Sequence, residues 1–327
     1  MTNAQEPVDE RQAIIQLNDL AYGVDWTYDS QFIAVGTLQT LSIFDNDLNQ
    51  VSTQDGVIYS LDWHPSENML AVTAGNSVEI MHWDAETLSL TILEKIQLSE
   101  RVYFVRWNVN ASKLAIITGT PTSQFQTGLD VAEITIWDGI TFVHLQTIPS
   151  RYLFLTGYYP TTDLWDWSPN DPDLFAGIGN SIRIDGDFNT GDDVVVETDT
   201  IIYVLDTVTG ERIQEISVGN GPVGYSLAWQ PNGDYIAVGG ETGSDIFHSE
   251  TGEKIAGANG NHFDVFSLAW QLDGTYLASE QSIFDSQTFD RLGTYDVGDV
   301  RIVLWSPDNQ LILFATGNKE LAIFALE

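Results

Sequence analysis

A chain of 327 residues with 12 Lys plus Arg against 47 Asp plus Glu carries a formal charge of −35, which repels phosphate backbones and anionic lipid surfaces and argues against nucleic-acid binding. The absence of cysteine excludes disulfides, thiolate catalysis and zinc-thiolate sites. An apolar content of 43%, with 11% aromatic residues, excludes a wholly disordered chain, and no run approaches the roughly 18 apolar residues of a membrane span, so a soluble chain without membrane insertion is expected.

The opening residues, MTNAQEPVDERQ, have neither a basic n-region nor an apolar h-region, so no secretory signal is expected in this chain. Residues 1–10 read as a tail, and 11–17, RQAIIQL, as an isolated strand. From there one pattern recurs seven times: YGVDWTYDSQFIAVG, YSLDWHPSENMLAVT, YFVRWNVNASKLAII, DLWDWSPNDPDLFAG, YSLAWQPNGDYIAVG, FSLAWQLDGTYLASE and RIVLWSPDNQLILFA. The copies align on Trp26, Trp63, Trp107, Trp167, Trp229, Trp270 and Trp305. Each reads as an alternating strand, a turn rich in Pro, Asn, Asp or Gly, and a second apolar strand. A third strand follows, as in LSIFD, VEIMHWD and ITIWD, and then a fourth, such as LTILEKI or FVHLQTI.

Helical periodicity is nowhere sustained. Four strands repeated every 35 to 62 residues predict an all-β fold, a seven-bladed β-propeller with four antiparallel strands per blade, as one domain over 11–327. Copy seven ends on its third strand at Leu326-Glu327, so the strand at 11–17 is expected to complete the last blade and close the ring.

The chain resembles, over residues 11–327, the WD-repeat (WD40) propeller family. The resemblance rests on the turns HPSEN, SPNDP, QPNG and SPDN and on third strands ending in Trp83-Asp84, Trp137-Asp138, Phe44-Asp45, Leu205-Asp206 and Phe284-Asp285. It is a degenerate one. Only two third strands end in a Trp-Asp pair, there is no Gly-His dipeptide, and copies five and seven lack the terminal Asp, so the family's polar network of His, Ser/Thr, Asp and Trp is mostly missing. The W-S-P-D type of turn is also similar to the six-bladed TolB-like propellers; seven copies favour the WD-repeat resemblance. A Trp closing every first strand is expected to pack between blades, where burial of its ring contributes roughly 4 to 6 kcal/mol before entropy costs. The alternative, an aromatic ladder for a ligand, is disfavoured because the position is the same in every blade.

Chemistry is best sought where copies differ. The Trp-to-Trp spacing of 37, 44, 60, 62, 41 and 35 residues puts the excess around copies three and four. Three insertions account for it: 118–133, 149–163 and 185–200. In the resembled family connections of these two kinds share one face of the disc. The expected patch combines Phe125, Tyr152, Phe154, Tyr158, Tyr159 and Trp165 with many acids, a composition typical of recognition surfaces. The competing expectation is local packing of these loops over strand edges.

Within the third insertion, Asp185, Asp187 and Asn189 alternate, with Gly191, Asp192 and Glu197 following, similar to a calcium loop of the D-x-[DN]-x-[DN]-G type. Here Gly191 is one residue late and Glu197 one position beyond the usual closing ligand, so a solvated acidic hairpin competes with a Ca²⁺ site. GNGPVG has G-x-G-x-x-G spacing in Gly219, Gly221 and Gly224 but leads into a strand, which leaves no helix N-terminus to cradle a phosphate. His64, His82, His144, His248 and His262 form no metal-ligand pair, Asn110-Ala111-Ser112 is a sequon in a predicted turn, and no nucleophile elbow, Walker loop or zinc-protease motif occurs.

These features point to a non-catalytic scaffold that binds a protein, peptide or glycan partner, basic or bridged by divalent cations, through the long loops of blades three and four. No cofactor is required. The rivals are a propeller hydrolase or lyase with an acidic metal site in the central channel, and a structural subunit of an extracellular assembly. Low Lys, no Cys and abundant Asn, Gln, Thr and Asp suggest an extracellular or cell-surface prokaryotic protein, with a halophile cytoplasm as the second reading.

Overall fold

Each of the seven copies folds into one antiparallel sheet in the computed structural model, which describes residues 10–121, 128–149, 154–156, 164–185, 194–220, 224–240, 243–258 and 265–326. The protein is a seven-bladed β-propeller, and no helix among the described residues is long and apolar enough to cross a membrane. The inner strands, numbered here by blade, are Gly23–Trp26, Leu61–Trp63, Arg101–Trp107, Trp165–Trp167, Gly224–Trp229, Leu268–Trp270 and Val300–Trp305. Each hydrogen-bonds to the second strand of its own blade, and in blades one to six the order of strands follows the sequence outward from the axis.

Blade seven closes the ring. Its outer strand is Glu10–Gln16, which pairs antiparallel with the third strand, Glu320–Ala325, through Ile15 opposite Leu321 and Gln16 opposite Glu320. Leu17 N–H donates to the Lys319 carbonyl at 2.7 Å and extends this seam. A ring closed by the two ends of the chain has no blade with an unfilled outer place.

The seven aligned tryptophans are 3 to 9% exposed, as packing between blades requires. Each ring faces the preceding blade. Trp26 clusters with Leu311, Leu313 and Ile323 of blade seven, and Trp63 with Ala34, Leu41 and Ile43 of blade one. Indole N–H groups also cross the seams: Trp167 donates to the Arg106 carbonyl at 3.1 Å, Trp270 to Ala228 at 3.1 Å and Trp305 to Ala269 at 3.0 Å. Apolar burial and a backbone bond at the same seam fix one blade against the next.

The three insertions are more regular than the loops expected from the sequence. In blade three the second strand runs on to Pro121 and the third starts at Gly128; in blade four they run to Asp185 and from Val194. The β-branched residues Val194–Val196, Thr198, Thr200, Ile201 and Ile202 favour the extended chain. Beyond Pro149, residues Phe154–Thr156 resume the outer edge of blade three, pairing with Gly128–Asp130.

Candidate functional site

Antiparallel order sorts the connections. Inner strands start on one face of the disc, and the same face receives every turn between second and third strands and every link between blades. All three insertions therefore rise from the face on which the inner strands begin. The second meets the first: Phe154–Thr156 pairs with the extended third strand of blade three, and it lies against the second strand of blade four, Leu174–Asp185, which leads into the third insertion.

The residues singled out from sequence divide into three groups. Phe125, Tyr152, Tyr158 and Tyr159, with Asp187, Asn189 and Asp192, lie outside the described residues, as does His262. Phe154 stands in the added strand beside blade four. Trp165 does not belong to an exposed patch: it is 2% exposed, its ring stacks on Phe175 at 5.7 Å with an interplanar angle of 9°, and it sits over Gly177. As a strand neighbour two residues before Trp167 it points to the same side of the sheet, into the seam. Asp185 ends one strand opposite Val194, and Glu197 lies within the next strand opposite Arg183. That register places the backbone of Glu197 within the ladder, outside the turn between the two strands.

On the same face, at the mouth of the axis, the fourth residue before each Trp forms a collar that sequence reading passed over. It consists of Tyr22, Tyr59, Tyr103, Tyr225 and Phe266, with Arg301 in blade seven. Ring centroids lie 6.1 Å apart for Tyr22 and Tyr59, 5.0 Å for Tyr59 and Tyr103, and 5.1 Å for Tyr225 and Phe266. Arg101 stands over Tyr59 at 5.7 Å and donates to its hydroxyl at 3.2 Å, and Arg301 stands over Phe266 at 4.3 Å. Burial pushes the Tyr103 hydroxyl above its ordinary pKa. The initial letter of each aligned copy, Y, Y, Y, D, Y, F and R, was the available signal.

Deeper along the axis, the residue before each Trp is Asp25, Asp62, Arg106, Asp166, Ala228, Ala269 and Leu304. Blades one to four are thus charged there and five to seven apolar. The carboxylates reach forward across the seams: Asp25 accepts the Trp63 N–H at 2.7 Å, Asp62 that of Trp107 at 2.7 Å, and Asp166 that of Trp229 at 2.8 Å. An inner strand has no neighbour on its axial side, so its N–H groups there need such acceptors. Arg106 joins the series, donating to the Trp165 carbonyl at 3.0 Å and to Asp166 Oδ1 at 3.3 Å, with Asp62 Oδ1 at 3.9 Å.

Burial pushes Asp25 up to about 6, opposed by its backbone hydrogen bonds and by Arg106. Asp62 is held well above the usual carboxylate range by burial and by neighbouring Asp25, and burial raises Asp166 against the pull of Arg106. Among the described residues no three His, Cys, Asp or Glu side chains converge to hold a metal. These carboxylates bind backbone, so their evident chemistry is structural.

The aspartates ending third strands have a separate task. Asp84, Asp138, Asp206 and Asp285 accept N–H groups two and three residues ahead, and hydrogen bonds from the threonines at those turns hold their pKa below the ordinary value. In blade five, which lacks this Asp, His248 Nδ1 accepts from Glu250 and Thr251 N–H at 3.2 and 3.4 Å. The outer strand of blade four runs through Asn220 and the inner strand of blade five starts at Gly224, so GNGPVG joins two blades. No protein-family model and no curated protein matches the chain.

Proposed function

We propose that the protein is a non-catalytic interaction scaffold of degenerate WD-repeat type, which holds a protein, peptide or glycan partner on the face bearing the three insertions. The observation that carries this reading is the meeting of the insertions: strand Phe154–Thr156 pairs with Gly128–Asp130 of blade three and lies against blade four. Three separate lengthenings of the chain converge on one sector, where a partner would be gripped from the side. The aromatic collar at the mouth of the axis lies on the same face; Tyr103 and Tyr225 are buried within it, and the half-buried Tyr22, Tyr59 and Phe266 are the rings able to stack on sugars or apolar side chains.

The acidic field favours a basic partner. Calcium is not required, and the proposal takes no step through it. The propeller-enzyme alternative gains little from the axial aspartates, since Oδ2 of each accepts a backbone N–H of the next inner strand. Composition continues to favour an exported prokaryotic setting, with a halophile cytoplasm as the second reading.

The test compares the wild-type chain with a variant whose residues 186–193 are replaced by a two-residue Asn-Gly turn. Both are probed on a glycan array and with a displayed peptide library. Ligands chosen by the wild type should lose at least about tenfold in affinity for the variant, equal to about 1.4 kcal/mol. Equal binding by both proteins would remove the blade-four insertion from the site, and hydrolase activity sensitive to EDTA would favour the enzyme.

A further inference from the structure

Outer strands are the exposed edges of a propeller, and charge on an edge discourages pairing with another chain. Six of the seven outer strands carry such charge: Glu10–Gln16, Gln50–Asp55, Ser89–Gln97, Arg212–Asn220, Lys254–Ala258 and Arg291–Thr294. The outer strand of blade three, His144–Pro149, has no Asp, Glu, Lys or Arg, and neither does the turn before it, residues 139–143. This is an uncharged stretch in a chain with 47 acids.

The same stretch is apolar and open. Ile140 is 75% exposed, Val143 59% and Leu145 50%, and on blade four Val208 and Ile213 are 61% and 53% exposed. The two groups adjoin, because Gln146 Nε2 donates to the Val208 carbonyl at 3.2 Å, and a Cβ added at Gly210 would lie 3.0 Å from the same nitrogen. The blade-four half brings Glu211 and the Arg212–Glu215 ion pair at 2.5 Å; the blade-three half brings one charge, Asp138, whose Oδ1 is turned inward to accept the Ile140 and Thr141 N–H groups. Elsewhere on the rim, the exposed pair Ile92 and Leu93 is followed directly by Glu94 and Lys95.

We propose that this rim, centred on Ile140, Val143 and Leu145, is an interface between two copies of the chain related by a two-fold axis. Two bodies of charge −35 repel each other least where carboxylates are fewest, whereas a cationic partner gains nothing from an aliphatic surface. A two-fold axis lets one patch serve both copies, with the blade-three edges running antiparallel. The turns 139–143 and 207–211 join third to outer strands and so lie on the face opposite the insertions. Pairing there leaves both insertion faces free, and the dimer would present two of them.

The test is sedimentation velocity of the full chain over a wide concentration range at low and high salt. The expected result is a particle of twice the monomer mass that forms more readily as salt screens the mutual repulsion. The double variant Val143→Glu, Leu145→Glu changes exposed side chains only and should melt as the wild type does while remaining monomeric. Ile140→Lys gives the same readout should that variant misfold. A wild type that stays monomeric at the highest concentration and salt overturns the proposal, as does a variant that dimerises as well as the parent. A wild-type monomer that uses this rim only for a different protein overturns it too.

Discussion

Replacing Asp25 with Asn tests whether burial at the axis governs the pH dependence of stability. Asp25 uses both oxygens, Oδ1 accepting the Trp26 N–H at 2.8 Å and Oδ2 the Trp63 N–H at 2.7 Å. Asparagine turns one acceptor into a donor, a loss of roughly 1–3 kcal/mol at every pH. Ionisation supplies the part that varies. The folded pKa of about 6 against the ordinary 3.8 is a shift of about two units, or about 3 kcal/mol. Because the folded value is raised, the folded chain keeps a proton between these two values that the unfolded chain has released. Wild-type stability from this group is therefore full below pH 3.8, falls as pH rises to about 6 and is level above it. The variant has no such proton. Urea unfolding followed by tryptophan fluorescence from acid to alkaline pH should show the wild-type advantage shrinking by about 3 kcal/mol across that window. Subtraction cancels the groups that do not sense Asp25, the turn aspartates among them, whose lowered pKa values act in the opposite sense and at more acidic pH; Asp62, raised in part by Asp25, shifts downward in the variant and steepens the difference. Parallel curves for the two proteins would refute the argument.

Three further outcomes follow from the packing. Trp63→Ala removes a 4%-exposed ring from the seam between blades one and two and should lower unfolding free energy by about 3–5 kcal/mol in urea titration, with Trp63→Phe losing much less. Gly177→Ala places a Cβ 2.1 Å from Trp165 Cε3, so the indole must shift, and a loss of about 1–3 kcal/mol is expected in the same assay. Removing residues 1–17 uncovers the third strand of blade seven and should depress the melting temperature and promote aggregation. A peptide of residues 10–17 added in trans should restore the melt, and failure to do so would show that closure needs more than this pairing.

Architecture was legible because its signals are local and repeated. A Trp at the end of each inner strand and a turn after it gave the blade count, and the missing fourth strand of copy seven gave the closure. The form of the insertions was less plain. Residues 128–138 and 194–206 run into the expected third strand without a Pro or an internal Gly, and 194–206 is rich in Val, Ile and Thr, so the sequence contained the extension, but spacing alone reads excess residues as loop. Trp165 was misplaced for want of a parity argument: two residues before Trp167 on one strand, it shares that residue's side and its burial. The axial series was invisible in any one copy, since Asp62 before Trp63 is unremarkable until it is seen to bond the Trp107 N–H one blade on.

The seams explain why one sector could be enlarged while the ring stayed intact. At each seam the Trp leans back onto the preceding blade, and where an Asp precedes it, that Asp reaches forward to the next. Both contacts involve nearest neighbours only, so a change in one blade is felt by two seams. The seam between blades three and four, where the insertions rise, lacks the forward Asp because Arg106 occupies the place. It is joined by other means. Arg106 donates to the Trp165 carbonyl and to Asp166, Asn108 Nδ2 to the Pro172 carbonyl at 3.2 Å, and Lys113 Nζ to Thr207 at 2.8 Å and to Asp173 at 2.5 Å. Lys113 is largely buried, so its bonds act in a medium less polar than water and hold better than surface pairs. The cross-links run along the axis and the face opposite the insertions, so the two blades are tied below the place where their added strands meet. A recognition surface formed by two blades needs that rigidity, since relative motion at the seam would move its halves apart.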